Sequence, residues 1–295
     1  MDISFLLELA INGSLVGLMY SMVALGIVLV FKSSGIANLA QGALALVGGY
    51  VTWAFVVLAG LPLWAAIPAS LVVMFFFGRG IERVALRRMV GQPVIMVIML
   101  TLGLEILIRG LAPAIFGTEL KRLSLGLGEA PLIVGGILIN RSYLVSGAAA
   151  LVLIGLAMRF FGTRLGVVLR AVSDDHAASW SVGIAVERAI GLSWGLAGVA
   201  AASAGILWGS VQGVDWTLSL LLIKGLAVAI LGGLDSLPGV LLAGIMVGIL
   251  ESVVPGYLDP LVGGGSRDVV ASLVILATVI VRPHGLFGRE DIERV

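Results

Sequence analysis

The sequence predicts an all-α polytopic membrane protein, a bundle of about 8–10 transmembrane spans with broken or re-entrant helices among them. Three observations carry this. Hydrophobic residues make up 60% of the chain and charged residues only 12%, with a mean hydropathy of +1.15. A soluble domain cannot cover that much apolar surface with polar groups. The apolar runs also continue over about 20 residues, the length that crosses a ~30 Å hydrocarbon layer. They lack the alternation of barrel strands.

Spans are expected at about 9–31, 38–59, 63–82, 93–116, 140–161, 188–209, 217–233, 237–256 and 268–282. The first follows Asp2 and Glu8 rather than a basic leader, so it reads as a retained span. The second opens with Asn38, Gln41 and a run containing three glycines, which marks a break near its start. The seventh is short and holds Lys224, the mark of a broken or re-entrant helix. The eighth carries Glu251 near its predicted end, where an interfacial position is expected. Between the seventh and eighth, the run Gly232–Gly239 reads as a tight polar reversal.

Basic residues orient the chain. With the N-terminus outside, twelve fall inside: Lys32, Arg79, Arg83, Arg87, Arg88, Arg159, Arg164, Arg170, Arg188, Arg282, Arg289 and Arg294. Four fall outside: Lys121, Arg122, Arg141 and Arg267. The bias places 162–186 and the C-terminal tail in the cytosol, and an odd number of spans fits it.

The whole chain, 1–295, reads as one transmembrane domain. Gly13–Phe31 and Gly191–Gly209 are both small-residue-rich and each precedes a stretch with a glycine pair. They lie five spans apart, so the units would be inverted, giving halves 1–161 and 187–295 around the segment 162–186. Shared Gly/Ala/Leu composition alone accounts for the same likeness. The 41 glycines predict close helix packing.

Charges at membrane depth each need a reason. Glu105 and Arg109 sit four apart on one helix face, as a pathway lining or as a structural ion pair. Lys224 either faces a pathway, snorkels, or pairs with an acid such as Asp235 or Glu251. Asn38 and Gln41 either bind a polar solute or satisfy backbone groups freed by a helix break. Asn38, Gln41, Glu105, Arg109 and Lys224 are therefore the candidate pathway residues.

No catalytic set emerges, and the chain lacks an HExxH and a GxxxxGK[ST] loop. It has no cysteine and only His176 and His284, so no metal site is expected. It is not expected to be an enzyme or to bind nucleic acid; its surroundings are membrane lipid. Any ATP chemistry must come from another subunit.

The segment 162–186 is polar and helix-capable between two long spans. Arg164 and Arg170 flank an apolar patch at Leu165, Val167, Val168 and Leu169. Ser173 or Asp174 is expected to cap a short helix from Asp175 to about Val182, stopped by Gly183. Such a helix, with Ala177, Ala178 and Ser179 exposed, suits a partner's groove, or lies on the membrane as an ordinary interfacial helix.

The run 162–184, with Gly166, Arg170, Ala171, Asp174, Ala178 and Gly183 in register, resembles the cytosolic coupling segment of permease subunits in branched-chain amino acid ABC importers. Asn38–Gly42 followed by Gly48–Tyr50 is similar to that family's motif after the first span, with Leu39 in place of the usual aromatic. Gly225 with 231–244 resembles the late motif, and Arg282–Gly288 the C-terminal RPxGLFG signature. The resemblance covers nearly the whole chain. It implies the shorter of two paired permeases, in a heterodimer above two cytosolic ATPases and beneath a periplasmic binding protein, in a bacterial inner membrane. It implies that Arg170, Ala171, Asp174, Asp175, Ala178 and Gly183 couple to an ATPase, with ATP and Mg bound only by those ATPase subunits. Relatives of this pattern carry branched-chain or other amino acids, urea, amides or aromatic acids. An ion-coupled secondary transporter or channel using Glu105, Arg109 and Lys224 is the alternative.

Overall fold

A computed structural model describes residues 3–89, 92–126 and 131–288. Asp2, Arg289 and Arg294 lie outside these residues, as do the side chains of His176 and Ala177. The described chain is a helical membrane bundle with one small hairpin. Among the described residues, seven helices are long and apolar enough to span a membrane.

In order, α1 is Ile3–Ser34 and α2 is Gln41–Trp53, continued by a wider π turn over Ala54–Leu58. Next come α3 (Leu63–Val84), α4 (Val94–Phe116), strands β1 (Leu132–Val134) and β2 (Ile137–Ile139), and α5 (Arg141–Phe161). Two short helices follow, α6 (Arg164–Asp174) and α7 (His176–Ser181). Then come α8 (Val186–Gln212), a 3-10 turn over Trp216–Leu220 running into α9 (Leu221–Gly232), α10 (Leu237–Val262) and α11 (Ser266–Val281).

Each of the nine expected spans corresponds to a helix. The seventh is the broken unit Trp216–Gly232, and α11 has 16 residues. The second begins with non-helical chain through Asn38, and its helix starts at Gln41.

Burial separates centre from periphery. The most apolar window of α1 is 83% buried and that of α8 78%, against 22% for α3 and α4. A helix apolar on every side belongs inside, and α1 is buried almost without interruption from Val16 to Val30. On α3 the buried residues Ala66, Ser70, Met74, Gly78 and Glu82 recur every four, giving one contact stripe.

The packing is reciprocal. Helix α1 lies against α9 and α10, while α8 lies against α2 and α3. Small residues set both approaches. A Cβ at Gly17 would strike the carbonyl of Gly244, and one at Gly78 the carbonyl of Trp194. Lipid supplies no hydrophobic drive between helices, so such close contacts supply the cohesion.

Between α4 and α5 the expected loop holds a β-hairpin, with Leu132 opposite Ile139 and Val134 opposite Ile137. Gly135 and Gly136 both have positive φ, 61° and 84°, as the tightest hairpin turns require. The hairpin docks on α1: Asn12 Nδ2 donates to the Leu138 carbonyl at 2.9 Å, and the Asn140 amide donates to Asn12 Oδ1 at 3.0 Å.

Candidate functional site

The sequence-predicted residues fall into four places. At the end of the bundle where α1 finishes, α6 and α7 form an elbow. Gly166 lies so close to Phe161 that no Cβ fits, which folds α6 back on α5. Arg170 Nη2 donates to the Phe161 carbonyl at 3.2 Å, and Ser173 Oγ to the Phe31 carbonyl at 3.4 Å. The patch is split: Leu169 is buried, while Leu165 and Val167 are exposed.

The short helix is capped by Asp175, not by Ser173 or Asp174. Asp175 Oδ1 accepts from the Ala178 amide at 2.9 Å. Asp174 instead closes α6 and is exposed. Ser179 is buried rather than exposed, because its hydroxyl donates to the Ala171 carbonyl at 2.9 Å. Gly183, with φ 84°, follows α7. Trp180 and Val182 project outward, 73% and 74% exposed, beside exposed Ala178.

Three sequence motifs converge here. The segment Arg282–Gly288 turns under the α9–α10 reversal, with the Leu286 amide donating to the Leu231 carbonyl at 2.8 Å. Ser236 Oγ caps α10 by accepting from the Gly239 amide at 3.1 Å. Together with α6 they enclose a cleft of about 960 Å³ whose charged lining is Lys32, Arg170, Asp174 and Asp235, with His284.

Asn38 and Gln41 form the second place, and both are fully buried. Asn38 Nδ2 donates to Gln41 Oε1 at 3.1 Å, and Gln41 Nε2 to the Ala197 carbonyl of α8 at 3.1 Å. Gly26 of α1 leaves the notch for the Gln41 amide. This pair knits α1, α2 and α8 together.

Glu105 and Arg109 are the third. They form an ion pair at 3.5 Å on α4, with Glu105 buried and Arg109 half-exposed. The structure does not bring them to Lys224.

Lys224 is in the fourth place, toward the opposite end from the elbow. Its ammonium lies 2.9 Å from Glu251 of α10 and 2.9 Å from Asp268 of α11. Glu251 is fully buried within the protein. Helix α10 runs past two prolines to Val262, beyond the expected end at 256, so Glu251 lies inside the helix rather than near its end. Its second oxygen accepts from the Tyr20 hydroxyl at 2.8 Å. Tyr20 stacks on Trp208 of α8, 5.1 Å between rings. Sequence reasoning missed Tyr20, Arg267 and Asp268 as members of this cluster, which comes from five different helices. Arg267 and Asp268 next to a glycine run were the visible signal.

Residues 9–281 match the family model described as branched-chain amino acid transport system / permease component. The chain is 28% identical to the high-affinity branched-chain amino acid transport system permease protein BraD of Pseudomonas aeruginosa, covering 100% of this chain and 99% of that one. It is 30% identical to the probable branched-chain amino acid transport permease protein LivH of Methanocaldococcus jannaschii, over 90% of this chain and 88% of the relative. The LivH protein of Escherichia coli K12 is 26% identical over 99% of this chain and 98% of its own. Among solved structures, PsaBC from Streptococcus pneumoniae in complex with Fab shares the fold, with a TM-score of 0.50 and 15% identity over 97% of this chain and 95% of that one.

Proposed function

This chain belongs to the permease-component family of branched-chain amino acid transport systems, and on that premise we propose that it is one of two paired permeases in an ATP-driven importer of branched-chain or related amino acids. The assembly reading includes a second, different permease, two cytosolic ATPases that bind ATP and Mg, and a periplasmic protein that delivers substrate. The membrane is the bacterial inner membrane, with the N-terminus outward and the C-terminus cytoplasmic, in keeping with the basic residues at the elbow end. The chain itself performs no chemistry.

One observation carries this reading. The elbow α6–α7, the α9–α10 reversal and the C-terminal segment meet around a single cleft at the end where α1 finishes. An ATPase gripping the exposed edge at Ala178, Trp180 and Val182 would push on α6, and through Phe161 and Phe31 on α5 and α1. Nucleotide binding then shifts the bundle between two states by its differential affinity for them. Arg170, Ala171, Asp174, Asp175 and Gly183 shape that edge.

The reciprocal packing of α1 and α8 supports two inverted halves, 1–161 and 187–295, joined by 162–186.

The experiment is purification of the chain from its native membrane, with mass spectrometry of what accompanies it. A second permease and two ATPases are expected. A chain that purifies alone and drives uptake in ion-loaded liposomes without ATP would overturn the proposal in favour of ion-coupled transport.

A further inference from the structure

The cluster around Glu251 forms the floor of a cavity of about 660 Å³ at the end of the bundle where α1 begins. Its walls come from α1, the hairpin, α5 and α10, through Asn12, Leu138, Tyr143 and Ser252. The volume lies in the range of small-molecule sites. Its charged lining is Glu8, Glu251, Asp259 and Arg267.

These groups are not equivalent. Glu251 is neutralised by Lys224, which lies behind the lining. Glu8 and Asp259 have no cationic partner within ion-pair distance among the described residues. Asp259 holds the Ser266 amide and hydroxyl with one oxygen only, leaving the other open. Arg267 donates through Nε to the Glu251 carbonyl at 3.3 Å. Its two terminal nitrogens hold no hydrogen bond or ion pair to another described residue. The cavity thus offers spare carboxylates and a spare guanidinium fork in one small space. A guanidinium fork with open donors matches a carboxylate in geometry, and open carboxylate oxygens match an ammonium.

We propose that this cavity is a binding site for a free α-amino acid, whose carboxylate meets Arg267 and whose ammonium meets Asp259 and Glu8. The proposal rests on the importer reading for its direction of flow, and the binding itself is testable apart from it. A ligand held here touches the groups around Glu251, which tie α1, α9, α10 and α11 together. Occupancy would therefore be felt at the centre of the bundle.

The natural chain has no cysteine, so Ser252→Cys puts a single thiol in the cavity wall with little change of shape. The purified variant in lipid nanodiscs is labelled with a membrane-impermeant methanethiosulfonate, with and without leucine or members of a panel of apolar, basic and acidic amino acids. At least one amino acid is expected to slow labelling several-fold. For leucine, 4-methylpentanoate lacks the ammonium and leucinamide the carboxylate, and neither should protect. Arg267→Gln and Asp259→Asn should each remove protection, read as the ratio of labelling rates with and without the amino acid in the same variant. A thiol that never reacts, or that reacts equally fast with every amino acid, overturns the site. Uptake by the assembled importer is read separately. Uptake without protection would sink the cavity and spare the importer, whereas protection without ATP-dependent uptake would do the reverse.

Discussion

Lys224 makes two ion pairs of equal length, 2.9 Å, with Glu251 and Asp268, and they should differ several-fold in worth. Glu251 has no exposed side-chain surface, whereas Asp268 is 90% exposed. At that separation two unit charges attract by about 6 kcal/mol at an effective dielectric of about 20, and by about 1.4 kcal/mol at about 80. Screening and side-chain ordering reduce the solvent-side pair to about 0–1 kcal/mol. Lys224→Met leaves the Glu251 carboxylate buried with only the Tyr20 hydroxyl, and stranding a buried charge costs about 3–5 kcal/mol. Asp268→Asn should cost less than about 1 kcal/mol. The double variant Lys224→Met with Glu251→Gln removes both charges and should recover most of the loss. Unfolding of the purified chain by SDS in mixed micelles, followed by circular dichroism, supplies the three values. Equal losses from Lys224→Met and Asp268→Asn, or a double variant as unstable as the sum of its parts, would refute this assignment of the energy.

Other outcomes follow from the packing and the elbow. Gly17→Ala places a Cβ against the Gly244 backbone and should cost about 1–3 kcal/mol or more, whereas Gly80→Ala, which meets nothing within 4 Å, should be neutral or gain up to about 1 kcal/mol; melting of the two variants decides. Gly26→Ala should expel the Gln41 amide from its notch, break the bond to the Ala197 carbonyl and cost about 1–3 kcal/mol, with faster hydrogen exchange at the start of α2. Asp175→Ala removes the α7 cap, worth about 1 kcal/mol, and should weaken co-purification of the ATPases without moving the melting temperature of the transmembrane bundle. Asp174→Arg, at an exposed position beside the elbow, should abolish ATPase assembly or coupling; wild-type uptake by that variant would remove the elbow from coupling.

Much of the bundle is legible in the sequence because lipid forces each crossing helix to satisfy its own backbone, so hydropathy alone reveals it. The breaks before Gln41 and before Leu221 are legible for a similar reason, since polar residues and a lone lysine interrupt the apolar runs. The end of the eighth span's helix, α10, is not. Pro255 suggests a helix end, yet prolines are tolerated inside membrane helices when neighbours resatisfy the backbone, and α10 continues to Val262. The hairpin carries its own signal, two apolar triplets around Gly135-Gly136, which is outweighed by the expectation of a plain loop between spans. The Lys224 partners are legible only in part. Glu251 is among the acids expected for it, but Asp235 is nearer in sequence and Asp268 farther, and the choice of Glu251 and Asp268 is made by how α9, α10 and α11 meet. Among the candidate pathway residues, Asn38 and Gln41 spend their hydrogen bonds inside the fold, and Glu105 and Arg109 on each other.

The burial of α1 has a consequence for how the protein is made. Helix α1 is made well before the helices that chiefly enclose it, α10 and α8, yet its most apolar stretch ends as the most buried of the membrane-length helices among the described residues. For most of translation its glycine face must wait in lipid, at a mean hydropathy of 2.3 in its most apolar stretch, without the surface that will cover it. Nascent chains halted before α10 should therefore expose Gly13 and Gly17 to any small-residue helix nearby, including that of a neighbouring nascent copy. A membrane insertase that shields this face until residue 262 emerges would raise the yield of folded chain more than one that only speeds insertion.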